Sequence, residues 1–77
     1  MPTVLRKSGF SFKINIHDHE PMHVHVWKQG RQVLINFEDT VSMRKNYGMN
    51  QNEIRQAINI VVENQEFLQV KWREIYG

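Results

Sequence analysis

The feature that most constrains this sequence is a pair of apolar segments that meet at the dipeptide Gln29-Gly30. Residues 23–28 alternate valine with polar or aromatic side chains, a period of two that is typical of a strand with one buried face. Residues 31–37 continue with an apolar side chain at every second position from Val33. Because two-residue loops join antiparallel strands, the sequence predicts a β-hairpin centred on Gln29-Gly30.

Counting outward from that loop predicts which residues face each other. The pairs are Lys28 with Arg31, Trp27 with Gln32, Val26 with Val33, His25 with Leu34, Val24 with Ile35, and His23 with Asn36. One face of the hairpin is then aliphatic, and we assign it to the core: Val24, Val26, Val33 and Ile35. We expect the other face to turn away from the interior: His23, His25, Trp27, Gln32, Leu34 and Asn36. A slip of one residue would exchange the two faces, so the aliphatic set specifies the register.

Other strands are predicted on both sides of the hairpin. Residues 10–16 alternate Phe or Ile with polar residues, and residues 3–6 form a shorter candidate strand connected through Gly9. The segment 38–48 is the least regular, and we expect only a short strand around Val41 there. We also expect three side chains to close the core beneath the start of the following helix, namely Met43, Tyr47 and Met49.

A C-terminal helical segment begins after Asn50. The Asn50 side chain can cap the helix, and Glu53 can reach back to the Asn50 amide in a capping box. Apolar residues then recur at helical spacing, at Ile54, Ile58, Val61, Leu68, Trp72 and Ile75. Gln65 interrupts this seam, which is compatible with one kinked helix or with two helices that meet near Asn64.

Together these elements predict an α+β fold, in which a small antiparallel sheet of about four strands packs on one face against the C-terminal helical segment. We treat residues 1–77 as a single domain. A chain of 77 residues is too short for two domains, a Rossmann fold or a barrel enzyme.

Composition narrows the functional classes. The sequence has no cysteine, which excludes disulfides, thiolate catalysis and cysteine-based zinc sites. No apolar run exceeds three residues, and the N-terminal residues lack the apolar stretch of a secretory signal, so we expect a cytoplasmic protein without a membrane span. Ten basic residues against eight acidic ones give a charge of +2. This small excess is spread over both halves of the chain and does not indicate a nucleic-acid surface.

The distinctive chemical feature is that all four histidines lie close together in the sequence. They are His17, His19, His23 and His25, and the acidic residues Asp18 and Glu20 lie among them. The cluster has three explanations: acid–base catalysis, a metal site, or histidines that only cap strand ends and contact solvent. Polar groups concentrated beside a regular strand favour a function.

Acid–base cleavage of RNA is the first functional hypothesis. Attack by a 2′-hydroxyl needs a proton acceptor, a proton donor and cations near the phosphate, and histidine suits both proton roles. The candidate catalytic residues are His19, Glu20, His23 and His25, with His23 and His25 moving protons and a carboxylate orienting one imidazole. The candidate binding residues are Asp18, Trp27, Lys28, Arg31 and Arg44, with Trp27 as a platform for base stacking.

A divalent metal site is the second hypothesis. His23 and His25 lie two residues apart on one strand, which places their Cβ atoms on the same side at about 7 Å. His17 or His19 from the preceding loop could supply a third ligand. The sequence contains no recognised metal-binding signature, so no cofactor is required and a divalent metal stays an alternative.

Several segments together resemble a known family. They are Met-Pro-Thr-Val-Leu-Arg at residues 1–6, Asp-His-Glu-Pro-Met-His-Val-His-Val at residues 18–26, the capped helix start at residues 50–54, and Trp72. They are similar to the domain of unknown function 4160 family over essentially the whole chain. The matching positions are Asp18, His19, Glu20, Pro21, His23 and His25, whereas Met22 stands where the family usually has proline and His17 lies outside the pattern.

This resemblance implies a compact α+β domain in a short bacterial protein that is often encoded beside a second small protein, as in a toxin–antitoxin pair. The indicated function is a toxin-like component that acts on or binds RNA through its His-rich loop and strand, with a cognate small protein as partner. The alternatives are a non-enzymatic protein-binding module or homodimer, favoured by the small core and an apolar patch at Trp27 and Leu34, and the metal-binding domain.

Overall fold

The computed structural model describes residues 3–15 and 21–76. Within these ranges five strands are followed by two helices, which confirms the predicted α+β class with one strand more than expected. The strands are β1 (Thr3–Lys7), β2 (Phe10–Lys13), β3 (His23–Lys28), β4 (Arg31–Asn36) and β5 (Ser42–Tyr47). The helices are α1 (Gln51–Glu63) and α2 (Gln65–Tyr76).

The strands form one antiparallel sheet in chain order, β1-β2-β3-β4-β5. The hairpin of β3 and β4 has all six predicted cross-strand pairs. Its loop residues Gln29 and Gly30 have φ angles of 50° and 78°, which lie in the left-handed region. Two-residue hairpin turns need this conformation because it matches the twist of the flanking strands.

The helices cover one face of the sheet, which we name the helix-side face; the opposite face is the outer face. The four aliphatic residues of the hairpin are fully buried on the helix-side face, as predicted. Burial of each such side chain contributes about 1.5–3 kcal/mol relative to exposure. The buried cluster consists of Phe10, Phe12, Ile14, Val24, Val26, Val33, Ile35, Phe37, Met49, Ala57, Ile60, Val61, Leu68 and Trp72.

A capping box and an ion pair to the sheet fix the start of α1. The Asn50 side chain accepts a hydrogen bond from the Glu53 backbone N–H at 2.9 Å, and the Glu53 carboxylate accepts one from the Asn50 N–H at 3.2 Å. The same carboxylate accepts two hydrogen bonds from the Arg31 guanidinium, at 2.5 and 2.7 Å. The predicted capping box is confirmed, and Arg31 attaches it to β4 through a bidentate pair.

The helical segment is divided into two helices at Asn64. The Asn64 backbone N–H donates to the carbonyls of Ile60 and Val61, each at 3.1 Å, and its side-chain amide donates to the Ile60 carbonyl at 2.8 Å. Asn64 therefore satisfies the last carbonyls of α1 before α2 begins. Neither helix is long and apolar enough to cross a lipid bilayer.

Helix α2 lies along one end of the sheet. The side-chain amides of Gln65 and Gln69 donate to backbone carbonyls of residues 37–39, at distances of 2.7–3.2 Å. Near the other end of α2 the hydroxyl of Tyr76 donates to the carbonyl of Asn15. Residues 37–39 follow the end of β4, and Asn15 follows the end of β2, at the same end of the sheet. These hydrogen bonds therefore hold α2 across the strand ends. They also explain why a glutamine interrupts the apolar seam at Gln65.

The segment before α1 differs from the expectation. Instead of a short strand around Val41, it forms the six-residue edge strand β5, in which every residue is exposed. Met49 is buried as expected, but the placement of Met43 and Tyr47 in the core is wrong, because their side chains are 46% and 49% exposed. An exposed edge strand needs no alternation of polar and apolar residues, so its sequence carries little periodic signal.

Acid should weaken the fold through Glu53. Burial raises the pKa of this carboxyl, but the hydrogen bond from the Asn50 N–H, the contacts with Arg31 and the charge of Lys28 outweigh burial and hold the pKa below the usual 4.5. The unfolded chain therefore takes up the proton more readily than the folded chain. The stabilisation is complete above about pH 4.5 and is lost as the pH falls through the lower pKa of the folded state.

Urea unfolding between neutral pH and about pH 3 should therefore show a free energy of unfolding that declines in acid. Glu53→Gln should remove part of that decline, because glutamine has no titrating carboxyl. Glu63→Gln is the matched control, since the Glu63 side chain belongs to the same helix and is 66% exposed. A pH dependence in Glu53→Gln as steep as in the wild type would contradict the assignment.

Candidate functional site

The two histidines of β3 occupy different environments. His25 is half-buried on the outer face, as expected. The expectation that His23 also turns away from the interior is wrong, because His23 is only 5% exposed. Its ring centroid lies 5.8 Å from that of Trp72, on the helix that crosses the strand ends. His23 therefore stands at the end of β3 that α2 covers.

The hydrogen bonds of His23 indicate a structural anchor. Its Nδ1 lies 2.9 Å from the carbonyl oxygen of Pro21. A carbonyl oxygen only accepts, so Nδ1 carries the proton in this contact. The same ring packs against His25 at 5.4 Å between centroids and against Trp72. These contacts join the start of β3 to α2.

His25 is held between two side-chain amides. The amide nitrogen of Asn15 lies 3.0 Å from Nε2, and the amide nitrogen of Gln32 lies 2.7 Å from Nδ1. A side-chain amide can turn either its oxygen or its nitrogen toward a ring nitrogen. The pair therefore engages both ring nitrogens of His25 and fixes the plane of the imidazole.

Four residues of the predicted site lie outside the described residues: His17, Asp18, His19 and Glu20. The proposed catalytic roles of His19 and Glu20, and the binding role of Asp18, therefore stay predictions. The same applies to a metal site that combines His19 with His23 and His25. Across residues 3–15 and 21–76, no group of three or more His, Asp or Glu side chains could hold a metal ion.

Two rows of side chains cross the outer face through cross-strand pairing. The first row is Lys13, His25, Leu34 and Lys45, on four successive strands. The second row is Arg6, Ser11, Trp27 and Gln32. Neighbouring strands are about 4.8 Å apart, so the first row spans about 14 Å from lysine to lysine. We name these eight residues the outer-face site.

The charges of the chain are segregated between its two layers. The five strands contain seven basic residues and no acidic one: Arg6, Lys7, Lys13, Lys28, Arg31, Arg44 and Lys45. The two helices contain four acidic residues, Glu53, Glu63, Glu66 and Glu74, against three basic ones. Counting charges over each half of the sequence conceals this separation. Counting them over each predicted strand would have found it.

Aromatic rings accompany two of the lysines. The Lys13 ammonium lies 5.9 Å from the centroid of Trp27, and the Lys45 ammonium lies 5.1 Å from that of Tyr47. Trp27 is half-buried and its Nε1 is covered, with no hydrogen-bond partner among the described residues. Trp27 therefore offers a ligand apolar ring surface beside a cation, rather than a hydrogen-bond donor.

The predicted phosphate-binding cations are only partly brought together. Lys28 and Arg31 face each other at the hairpin loop on the helix-side face, where Arg31 binds Glu53 and the Lys28 ammonium lies 4.7 Å from the Phe10 ring centroid. The structure does not bring either residue to His25. Arg44 is exposed where the register of β5 shifts, beside the outer-face site.

Replacing each histidine should separate the two roles. His23→Ala removes packing against Trp72 and the donor to the Pro21 carbonyl, so we expect the free energy of unfolding to fall by about 2 kcal/mol. His25→Ala should cost about 1 kcal/mol or less, because the ring is only half-buried on the outer face. Urea unfolding of both variants measures the difference. Equal losses would contradict the structural role of His23.

Comparison with known proteins gives a family match without a function. The family model described as "Domain of unknown function (DUF4160)" matches residues 9–73. The matched range begins just before β2 and ends within α2, so it includes the hairpin and the row from Lys13 to Lys45. No curated protein and no solved structure matches the chain.

Proposed function

Because the chain belongs to the family of the domain of unknown function DUF4160, whose description leaves its activity open, we propose from the geometry that the outer-face site binds single-stranded RNA. The observation that carries this proposal is that the outer-face site contains three basic residues, Arg6, Lys13 and Lys45, and no acidic one. Trp27 and His25 lie at the centre of the sheet, on β3.

The spacing of the outer-face site suits an extended nucleic-acid strand. Lys13 and Lys45, at the two ends of the first row, are available to neutralise phosphates. Trp27, in the neighbouring row, presents ring surface on which a base can stack. His25 lies between the lysines, where hydrogen bonds with the two amides engage both ring nitrogens and fix the plane of its ring. Because every base can stack and every nucleotide carries a phosphate, we expect the site to bind RNA of many different sequences.

The described residues favour binding over cleavage. His23 is nearly buried, and its Nδ1 is engaged by the carbonyl of Pro21. Catalysis by two histidines would therefore require His25 to act with a histidine at position 17 or 19. We accordingly expect RNA to be recovered intact after incubation with the protein. RNA cleavage that disappears in His25→Ala would contradict this part of the proposal.

An anisotropy titration with a fluorescent single-stranded RNA of about 12 nucleotides tests the binding. With the three basic residues of the outer-face site, Arg6, Lys13 and Lys45, on phosphates, the logarithm of the affinity should fall against the logarithm of the salt concentration with a slope of about −2. Lys13→Glu and Lys45→Glu should each weaken binding by roughly tenfold, because each replaces an attraction to phosphate with a repulsion. Trp27→Ala should weaken binding by a similar factor through lost stacking.

Arg55→Glu is the matched control for the two lysine variants. It makes a comparable charge reversal at an exposed position of α1, remote from the outer face, and should leave RNA affinity nearly unchanged. Loss of affinity in Arg55→Glu as large as in Lys13→Glu would indicate attraction by net charge alone. Absence of binding by the wild type at low salt would overturn the proposal.

A toxin-like role within a gene pair extends the same proposal to the cell. If RNA binding is the basis of toxicity, expression of the wild type should slow bacterial growth. The double variant Lys13→Glu/Lys45→Glu should relieve the arrest, and Arg55→Glu should not. Growth curves with matched expression levels, checked by immunoblot, measure the effect. If the double variant arrested growth as strongly as the wild type, toxicity would not depend on RNA binding.

A further inference from the structure

Helix α2 has an apolar side that is turned away from the core and stays partly exposed, with the Lys71 ammonium 5.5 Å from the centroid of the Phe67 ring. Leu68 and Trp72 face the core, whereas Phe67 and Val70 are 41% and 48% exposed. Val70 follows Leu68 by two residues, which turns it about 200° around the helix axis, away from the core. Large apolar side chains grouped on an exposed helix face mark a contact surface.

Charged residues of opposite sign flank this apolar side. A shallow depression on the surface is lined by Glu66, Phe67, Gln69, Val70 and Arg73. Glu66 lies one turn before Val70, and Arg73 lies about one turn after it. Along the helix the order is therefore acidic, apolar, basic. Both charged side chains are exposed.

We propose that this side of α2 binds the same side of a second copy of the chain, with the two helices antiparallel. A two-fold axis beside Val70 reverses the order of residues along the second helix. Measured along the helix axes, Glu66 then lies within about 1.5 Å of the partner's Arg73. By symmetry, Arg73 lies equally close to the partner's Glu66. Each Val70 contacts the partner's Val70, and Phe67 lies beside Val70 on the same side of α2.

Charge complementarity selects a second copy as the occupant. An acidic–apolar–basic order is complementary to itself only in an antiparallel, two-fold arrangement, which is the commonest symmetry of homodimers. In a parallel arrangement like charges would lie opposite each other. One helix side buries less than a standard interface, so we expect a dissociation constant on the order of 100 µM. The outer-face site is on another surface, so this inference does not rest on RNA binding.

Sedimentation equilibrium of the wild type from about 10 µM to 1 mM should show monomer and dimer in exchange. Val70→Asp should abolish the dimer. Glu66→Arg and Arg73→Glu should each raise the dissociation constant roughly tenfold, because each variant places two like-charged pairs across the interface. Arg55→Glu, outside the interface, is the matched control and should sediment as the wild type does. Circular dichroism verifies that every variant is folded.

Mixing the two charge variants provides the decisive measurement. In a heterodimer of Glu66→Arg with Arg73→Glu, both pairs again carry opposite charges. The equimolar mixture should therefore dimerise about as strongly as the wild type, although each variant alone does not. A wild type that is monomeric at 1 mM would overturn the proposal. A mixture as weakly associated as its components would also overturn it, because the antiparallel pairing of Glu66 with the partner's Arg73 would then be absent.

Discussion

The rest of the structure depends on the burial of the aliphatic side chains that β3 and β4 direct toward the helices. Each is fully buried, and because side chains alternate with a period of two, a slip of one residue would turn all of them toward water. The same alternation directs His25 and Trp27 to the opposite face. The position of the outer-face site is therefore a consequence of the core, and a mutation can alter that face without changing which residues are buried.

The separation of charge between sheet and helices gives this small protein two different surfaces. Acidic side chains in the helices have specific partners: Glu53 binds Arg31 at the sheet, and Glu63 lies 3.8 Å from Lys7. The lysines of the outer face have aromatic neighbours instead. A net charge of +2 understates the local field at the outer face, because Arg6, Lys13 and Lys45 lie in the outer-face site and none of its eight residues is acidic.

Local rules predicted the elements that local interactions determine. The hairpin register followed from one two-residue loop and one aliphatic face, and the start of α1 followed from Asn50 and Glu53. Features that depend on contacts between distant elements were not accessible. The exposed strand β5 is held by pairing with β4 rather than by its own periodicity. The burial of His23 depends on where α2 passes, which Gln65 and Gln69 determine through hydrogen bonds to residues 37–39.

His23 and His25 illustrate how one strand assigns different tasks to similar residues. Both rings project from β3 on the same side, two residues or about 6.6 Å apart. Helix α2 covers only the strand ends, so Trp72 reaches the ring of His23 and does not cover that of His25. The first histidine of the pair can then anchor the sheet to the helix, while the second, held by Asn15 and Gln32, lies on the open face. Two histidines that lie two residues apart on one strand therefore need not share one chemical function.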